Sequence, residues 1–479
     1  MEDTHIATIA AVGERRPVAV PWDWRTAVAA FAALVTALLA FAPQLFNDGD
    51  TYWHIAAGRL IIDSRGVPAT DPFSFTFRGQ PWTAHEWLAE VMAAAAYLLG
   101  SWPAVATLHA AAVGATLHLV GQWVGRTLSL RHALALLVLI AGILAPFTLA
   151  RPHVLSWPLI AGFAILLLQA RADDRAPSWP AAAVMLVWAN LHASFALGLV
   201  LAALFGLEAL LQSEDRVRVV RQWGLFGLVL LIAVLATPYG VEGLLFPLRV
   251  TSMNMVDTIE EWRATAWPED WLFLVFAAGA VISAVARWRE LRPVRLLILA
   301  ILLVMAIQHA RHQVPFVLVA ALVLAPAFGR GALRLEQARI GHAVFLAGLV
   351  AVALARQAVP LTPPDTPNAP GAAIAAVPRS LAGAPVLNSY GFGGLLIFNG
   401  IAPYIDGRVD MYGDAFLDEH QRMLGGDMPL FRRVAQTRHL AWTIVSPREP
   451  LAAKLDTEPG WRRIYADEHA VIHARDTGK

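Results

Sequence analysis

About eleven apolar segments follow one another along this chain, and they constrain its fold more than any other feature. Most are long enough to cross the roughly 30 Å hydrocarbon core of a bilayer as a helix. Because 57% of the residues are hydrophobic and 15% are charged, the chain is too apolar for a water-soluble protein. The sequence therefore predicts a polytopic transmembrane helical bundle, with spans at 26–45, 103–124, 132–150, 153–170, 179–192, 194–211, 223–237, 271–286, 294–309, 313–328 and 340–358.

Two segments near the N-terminus need separate treatment. The run 27–43 follows several arginines and ends near Ala40-Phe41-Ala42, which looks like a signal-peptide cleavage site. It is longer than a usual signal core, however, and Pro43 follows the expected cut, so we predict a retained first helix. The segment 87–99 is amphipathic around Glu90, and we expect it to lie at the interface or to form a short re-entrant helix.

The distribution of arginines predicts the orientation of the bundle. If the tail 1–25 is cytoplasmic, nearly every basic loop falls on the same side, which the positive-inside rule assigns to the cytoplasm. These loops contain Arg126, Arg131, Arg171, Arg175, Arg216, Arg218, Arg221, Arg287, Arg289, Arg292, Arg295, Arg330, Arg334 and Arg339. The other loops hold the polar residues of interest: Asp48, Asp50, His85, Glu86, Arg151, His153, His192, Tyr239, Glu260, Glu261, Arg311 and His312. We therefore expect outward-facing chemistry in a bacterial cytoplasmic (inner) membrane.

The composition changes after the last span. A Pro-rich linker at 359–383 leads into 384–479, where short apolar runs predict strands at 384–387, 394–398, 441–445 and 461–472, the last with a turn inside it. Helices are predicted near 414–424 and 449–456. The transmembrane domain 26–358 thus carries a small extracytoplasmic α/β domain at its C-terminal end.

Composition also excludes several classes of function. The sequence has no cysteine, so disulfides, thiolate metal sites and cysteine nucleophiles are ruled out. A net charge of +1 makes nucleic acid an unsuitable partner.

The first outer loop, 47–86, begins with two carboxylates, Asp48 and Asp50, directly after the first apolar segment. Two such groups at a membrane boundary repel each other, and their pKa values rise unless a cation lies nearby. A general base or a metal ligand benefits from that position. For the later polar residues of the loop, simple exposure to solvent is the alternative explanation.

A family resemblance begins at the same residues. Asp48, Tyr52 and Trp53, just after a first transmembrane helix, resemble the start of the first periplasmic loop in GT-C superfamily glycosyltransferases, such as protein mannosyltransferases, aminoarabinose transferases and lipopolysaccharide galacturonosyltransferases. The stretch 79–128 is similar too. The chain departs from the family at Gly49, where an acidic residue is usual, and at 85–88, where His-Glu-Trp-Leu stands in place of a Pro-Pro-Leu motif.

The resemblance implies transfer of a sugar from a polyprenyl-phosphate donor to a lipid or glycan acceptor at the outer face. It carries the loop aspartate of the family onto Asp48 as the base, with Asp50, His85 and Glu86 as supporting catalytic candidates. Arg151 and Arg311 suit the donor phosphate, because guanidinium matches phosphate geometry, although anchoring to lipid headgroups explains either one equally well. The remaining substrate-binding candidates are Tyr52, His54, His153, His192 and His312.

Cofactor assignments remain open at this point. Asp48 and Asp50 are candidate ligands for Mg²⁺ or Mn²⁺, whose preferred ligands are hard oxygens. No histidine pair has a recognised zinc spacing. In the C-terminal domain, glycines at 388–394 and 406–413 indicate close chain approach or positive φ. There Asp406, Arg408 and Asp410 predict a structural ion pair or, alternatively, acceptor recognition.

Two other classes of function fit the same composition. A lipid or glycan flippase or a small-solute transporter would place ionisable residues near helix midpoints and would have pseudo-symmetric halves, neither of which is evident. A non-catalytic membrane assembly protein would use its outer domain to bind a partner.

Overall fold

The computed structural model describes residues 23–251, 253, 262–329 and 339–476. Most of the predicted cytoplasmic tail lies outside the described residues, as do Glu260, Glu261, Arg330 and Arg334.

The first part of the chain is helical, as the apolar segments predict. In the described part of the chain, thirteen α-helices precede the C-terminal domain: α1 (Trp24–Ala40), α2 (Asp50–Ser64), α3 (Trp87–Val124), α4 (Leu130–Leu144), α5 (Pro152–Ala172), α6 (Trp179–Leu191), α7 (Phe195–Gln212), α8 (Arg216–Leu235), α9 (Val241–Thr251), α10 (Trp271–Ala286), α11 (Pro293–Gln308), α12 (Gln313–Leu324) and α13 (Arg339–Gln357). Among the described residues, 7 helices are long and apolar enough to span a membrane, and α1, α6, α10 and α11 are shorter apolar helices. The predicted multi-pass membrane architecture is confirmed.

The helix α3 contains a sharp kink at Gly100 and Ser101, which divides it into a short first segment and a long second segment. Gly100 and Ser101 have non-helical backbone angles, with φ values of −156° and 53°, and Pro103 follows. Proline cannot donate the hydrogen bond that would continue the preceding turn, and its ring crowds that turn. The amphipathic stretch 87–99 is therefore a distinct helical segment before the membrane span, and its first turn carries Glu90 into the site described below.

The loop 47–86 contains more regular structure than the sequence predicts. Rather than an irregular connection, 47–86 contains the 15-residue helix α2, whose buried face includes Tyr52, Trp53 and His54. Its hydrophobic pattern is weak, and the buried face includes small and polar residues, so periodicity gave little sign of it.

The C-terminal domain is a four-stranded sheet covered by short helices. Its helices are α14 (Gly371–Ala375), α15 (Arg379–Ala382), α16 (Gly393–Phe398), α17 (Val409–Tyr412), α18 (Asp414–Leu424), α19 (Met428–Thr437) and α20 (Pro450–Leu455). Its strands are β1 (Val386–Asn388), β2 (Trp442–Val445), β3 (Trp461–Ala466) and β4 (Val471–Arg475). They lie in the order β1-β2-β4-β3, with β1 parallel to β2 and the other pairs antiparallel.

One predicted strand is wrong. The apolar run 394–398 forms helix α16 and not a strand, because a short apolar run fits a buried helix as well as a buried strand. The predicted strands near 384–387, 441–445 and 461–472 and the helices near 414–424 and 449–456 are confirmed, whereas α19 was not predicted.

The membrane part and the C-terminal domain share a hydrophobic core. Phe46, Ile55 and Trp102 of the membrane part lie in one buried cluster with Leu396 and Trp442 of the C-terminal domain. The predicted linker joins this core through Ala373 and Ile374 of α14. The two parts therefore form a continuous packed unit around the ends of α2 and α3.

Candidate active site

Three charged side chains meet where the helices end near the C-terminal domain. Arg151, the residue before α5, places one Nη atom 3.2 Å from Asp48 and the other 3.1 Å from Asp50. Asp48 also accepts the backbone N–H of Asp50 at 2.7 Å, which fixes it at the start of α2. The cation that the two carboxylates require is thus Arg151, and the structure brings these three predicted residues together.

The backbone of the C-terminal domain packs closely against this group at two glycines, Gly407 and Gly394. A Cβ added at Gly407 would overlap the carboxylate of Asp50, and one added at Gly394 would overlap the carbonyl oxygen of Gly49. These contacts explain the two Gly-rich turns by close chain approach. The hydroxyl of Tyr390 is buried among the same groups, and burial, with Asp50, raises its pKa well above the ordinary value.

A second group lies one turn along α2 and at the start of α3. The carboxylate of Glu86 is surrounded by three imidazoles: His192 Nε2 lies 3.4 Å away, His85 Nε2 3.6 Å and His54 Nε2 3.8 Å. The backbone N–H of Ser194 donates to His192 Nδ1 at 3.0 Å, so the neutral ring carries its proton on Nε2, facing Glu86. Three of the predicted histidines therefore converge on one predicted glutamate.

The charges of this group are unequal. Burial alone would lower the pKa of His85 and raise that of Glu86, but their mutual attraction reverses both effects, so the pKa of His85 is raised and that of Glu86 is lowered. Burial lowers the pKa of His54 and of His192 to about 3, despite the attraction of Glu86. At neutral pH we therefore expect an imidazolium–carboxylate pair, His85–Glu86, flanked by two neutral histidines.

Glu90 is a member of this group that sequence reasoning used only as a marker of amphipathicity. Its carboxyl is 1% exposed and lies 3.6 Å from His54 Nδ1, yet its Oε2 atom has no hydrogen-bond donor among the described residues. The signal in the sequence was its spacing, since residues four apart on a helix lie on the same face and Glu86 directly precedes α3.

The other predicted substrate-binding residues have different surroundings. Tyr52 packs edge-on against Trp102 and Phe398. His153 bonds the carbonyl of Phe147 at 2.8 Å, and His312 faces that of Met305 at 3.4 Å. The guanidinium of Arg311 lies over Trp262, 4.4 Å from the ring centroid, and its charge contributes to the lowered pKa of His192. Of this set, both Arg311 and His153 act electrostatically on His192.

The predicted structural ion pair in the C-terminal domain is confirmed between Arg408 and Asp406, while Asp410 takes part in no ion pair within the described ranges. Arg408 is 1% exposed and binds Asp406 through Nε at 2.7 Å and Nη2 at 2.6 Å, and it also binds Asp71 of the outer loop at 2.7 Å. Its guanidinium lies 4.7 Å from the centroid of a Trp82 ring. Arg408 therefore joins the C-terminal domain to the loop 47–86 at two places, Asp71 and Trp82. Trp82 lies three residues before His85.

The described residues form no metal site built from three or more protein ligands. No group of three or more histidine or carboxylate side chains in the described ranges is arranged to hold a metal ion. The Asp48 and Asp50 oxygens proposed as ligands for Mg²⁺ or Mn²⁺ face Arg151 instead.

Comparison with known proteins supports the fold. No family model matches the chain, and no curated protein matches it by sequence. A solved structure of the archaeal oligosaccharyltransferase AglB from Archaeoglobus fulgidus, in complex with an inhibitory peptide and a dolichol-phosphate, is similar with a TM-score of 0.59 and 11% identity, covering 88% of this chain and 69% of that one. The Archaeoglobus fulgidus oligosaccharyltransferase tethered to an acceptor peptide containing the NVT sequon is similar with a TM-score of 0.52 and 12% identity, over the same shares. The predicted fold, a transmembrane helical bundle with a small C-terminal α/β domain, is thereby confirmed, and these oligosaccharyltransferase structures share it.

Proposed function

We propose that the protein is a membrane glycosyltransferase that transfers a sugar from a polyprenyl-phosphate donor to a lipid or glycan acceptor at the outer face of the cytoplasmic membrane. The observation that carries this proposal is the Asp48–Arg151–Asp50 group, formed at helix ends within a GT-C-like fold. One similar structure contains a dolichol-phosphate, which is a lipid phosphate of the proposed class.

Arg151 suggests how the donor activates the site. A guanidinium can bind phosphate oxygens through two parallel N–H groups, and the two Nη atoms of Arg151 lie against Asp48 and Asp50. When a donor phosphate binds Arg151, Asp48 is released from this ion pair and its carboxylate is available to accept the proton of the acceptor. Donor binding thus prepares the base.

The transfer step then balances as follows. The acceptor oxygen or nitrogen attacks the anomeric carbon of the sugar, and the bond from that carbon to the phosphate oxygen breaks. The polyprenyl phosphate leaves with the electron pair, stabilised by Arg151, and Asp48 receives the acceptor proton. Asp50 keeps Arg151 oriented, and the His85–Glu86 pair supports the wall of the site one helical turn away.

Replacement of Asp48 by asparagine tests the proposal. Asp48→Asn keeps the hydrogen-bonding shape at the start of α2 but removes the proton acceptor, so we expect transfer to fall by roughly a hundredfold or more. The measurement is release of polyprenyl phosphate from a panel of synthetic polyprenyl-phosphate hexoses by the purified full chain in nanodiscs. Asp63→Asn, an exposed aspartate on the same helix, serves as the control and should behave as wild type.

Two results would contradict the proposal. Wild-type turnover by Asp48→Asn would show that Asp48 is not the base. Movement of the intact donor across the bilayer without bond cleavage would indicate a flippase.

A further inference from the structure

A group of arginines lies at the end of the bundle opposite the candidate active site. Arg151 directly precedes α5, and Arg171 lies in the last turn of the same helix. Because an α-helix rises about 1.5 Å per residue, the 21-residue helix α5 separates the two arginines by about 30 Å, which is the thickness of the hydrocarbon core of a bilayer. A lipid bound at this group therefore lies in the other leaflet from the donor proposed above.

The group is built around one carboxylate. Glu208 of α7 is fully buried, and three guanidinium groups meet on it. Arg295 donates from Nε at 2.9 Å and from Nη2 at 3.1 Å. Arg292 donates from Nη1 at 2.8 Å, and Arg171 donates from Nε at 3.3 Å. The carboxylate thus holds three side chains in one place but neutralises only one of their charges.

The contacts of the described residues leave the rest of this positive charge uncompensated. Asp174 accepts from Arg171 at 3.4 Å, but Arg218 binds it more closely, at 2.7 Å. The remaining contact of Arg171 is the neutral amide of Gln212, at 3.3 Å. Guanidinium groups held around one carboxylate repel one another, and the repulsion is stronger where lipid keeps water away. An anion from outside the chain relieves it.

The edge of the group shows which kind of anion it fits. The side chain of Arg292 is 36% exposed and, among the described residues, it donates only through Nη1, which leaves Nε and Nη2 for a ligand. Leu211 lies three residues after Glu208, hence on the same face of α7, and is 64% exposed. Trp288, 56% exposed in the same loop as Arg292, is of the type enriched at the water–lipid boundary. Charge beside exposed apolar surface matches a phospholipid, whose phosphate adjoins its acyl chains, better than it matches a free anion.

We propose that this arginine group binds the headgroup phosphate of an anionic phospholipid in the leaflet opposite the candidate active site. Arg292 binds the phosphate directly, since guanidinium and phosphate match in geometry, and Arg171 and Arg295 supply further positive charge. An acyl chain of the same lipid packs along Leu211. A phosphatidylcholine headgroup carries its own cation, so the site selects lipids with a net negative charge. The inference does not depend on sugar transfer.

Competition between two lipids tests the inference. The purified full chain in detergent receives equal amounts of phosphatidylglycerol and phosphatidylcholine, and native mass spectrometry measures how much of each stays bound. We expect wild type to prefer phosphatidylglycerol roughly tenfold, and Arg292→Gln to lower this preference roughly fivefold, the share of one basic residue beside an anionic lipid. Arg289→Gln removes the same charge from the same loop, at an exposed arginine stacked on Trp288, and should keep the preference.

The results against the inference are distinct. Equal retention of the two lipids by wild type overturns it, and so does an equal loss in Arg292→Gln and Arg289→Gln, which indicates general attraction to basic loops. Displacement of phosphatidylglycerol by inorganic phosphate at the same concentration would assign the group to a free anion and not to a phospholipid. If Arg292→Gln is not recovered folded, wild type at rising salt decides, because screening should lower the preference; a preference that salt leaves unchanged also overturns the inference.

Discussion

Gly407 is the residue at which the C-terminal domain touches Asp50 most closely. A Cβ at this position would overlap Asp50 Oδ1 and lie 2.5 Å from Cγ, so Gly407→Ala must displace the carboxylate from Arg151. Overpacking of this kind costs about 1–3 kcal/mol of stability, whereas a displacement of about 1 Å at a reacting group can cost roughly a hundredfold in rate. We expect a folded protein with strongly reduced donor turnover, measured together with the thermal unfolding midpoint.

Gly383→Ala is the matched control for this prediction, since the position has open space around the added carbon. It should leave both turnover and midpoint near wild type. A Gly407→Ala variant with normal turnover would show that the position of Asp50 does not matter for the reaction.

The His85–Glu86 pair predicts a pH dependence of stability. The pKa of Glu86 is lowered from 4.5, so its contribution is present above that value and is lost as pH falls through the lowered pKa. The pKa of His85 is raised from 6.5, so its contribution is complete below that value and is lost as pH rises through the raised pKa. The stability difference between wild type and His85→Gln should therefore be largest between these two values and should shrink on the alkaline side.

Thermal unfolding midpoints of wild type and His85→Gln, measured across a pH series, test whether the stability difference shrinks at alkaline pH. His132→Gln, at an exposed histidine, controls for loss of an imidazole and should give no such curve. A difference that grows with alkaline pH would mean that His85 is neutral in the folded protein.

Several residues of the site could be predicted from the sequence, and others could not. Asp48, Asp50 and Arg151 were identifiable because charge at a membrane boundary is costly without a partner. The role of Gly407 depends on contact with Asp50, more than 300 residues away in the chain, and that of Glu90 on a buried oxygen without a partner in the described residues; local patterns carry no such information.

At the scale of elements, one buried carboxylate joins three helices at the end opposite the candidate site. Glu208 of α7 is fully buried and accepts from Arg171 of α5 at 3.3 Å, from Arg295 of α11 at 2.9 Å and from Arg292 beside α11 at 2.8 Å. Removing one partner of a buried ion group typically costs 3–5 kcal/mol, so we expect Glu208→Gln to destabilise the bundle by roughly that amount. Heat denaturation in detergent, followed by helical circular dichroism, measures the loss.

Glu214→Gln provides the comparison, because Glu214 is exposed after α7. Its midpoint should match that of wild type. If Glu208→Gln unfolds at the wild-type temperature, the three arginines are held by water and lipid, and the charge network is not a structural element.

Elements with a strong hydrophobic pattern were the most predictable. The long apolar segments fixed the membrane helices because the bilayer selects for length and apolarity. Helix α16 was predicted as a strand, and helix α2 was predicted as part of a loop. Both are buried by packing on each other, and this packing overrides weak local preferences. The sequence therefore predicts an element well when the membrane buries it, and poorly when another segment of the chain buries it.

At the scale of the whole molecule, the C-terminal domain is held to the membrane part by a shared core and by Arg408. The guanidinium uses its planar fork to bind Asp406 through two atoms and Asp71 through a third. Lysine retains the charge but cannot satisfy both buried carboxylates in this geometry. We expect Arg408→Lys to weaken the attachment of the C-terminal domain by roughly 3–5 kcal/mol, since a buried carboxylate is left without its partner.

Loss of this attachment should expose the connection between the two parts before the bundle itself unfolds. Limited proteolysis should therefore cut Arg408→Lys within the linker 359–383 at protease levels that leave wild type intact, while Arg433→Lys, at an exposed arginine of the same domain, remains resistant. Because Gly407 is next to this anchor in the chain and contacts Asp50, donor turnover should also fall in Arg408→Lys. Normal proteolytic resistance in that variant would show that the shared apolar core alone holds the domain, and that the site does not depend on the Asp71–Arg408 pair.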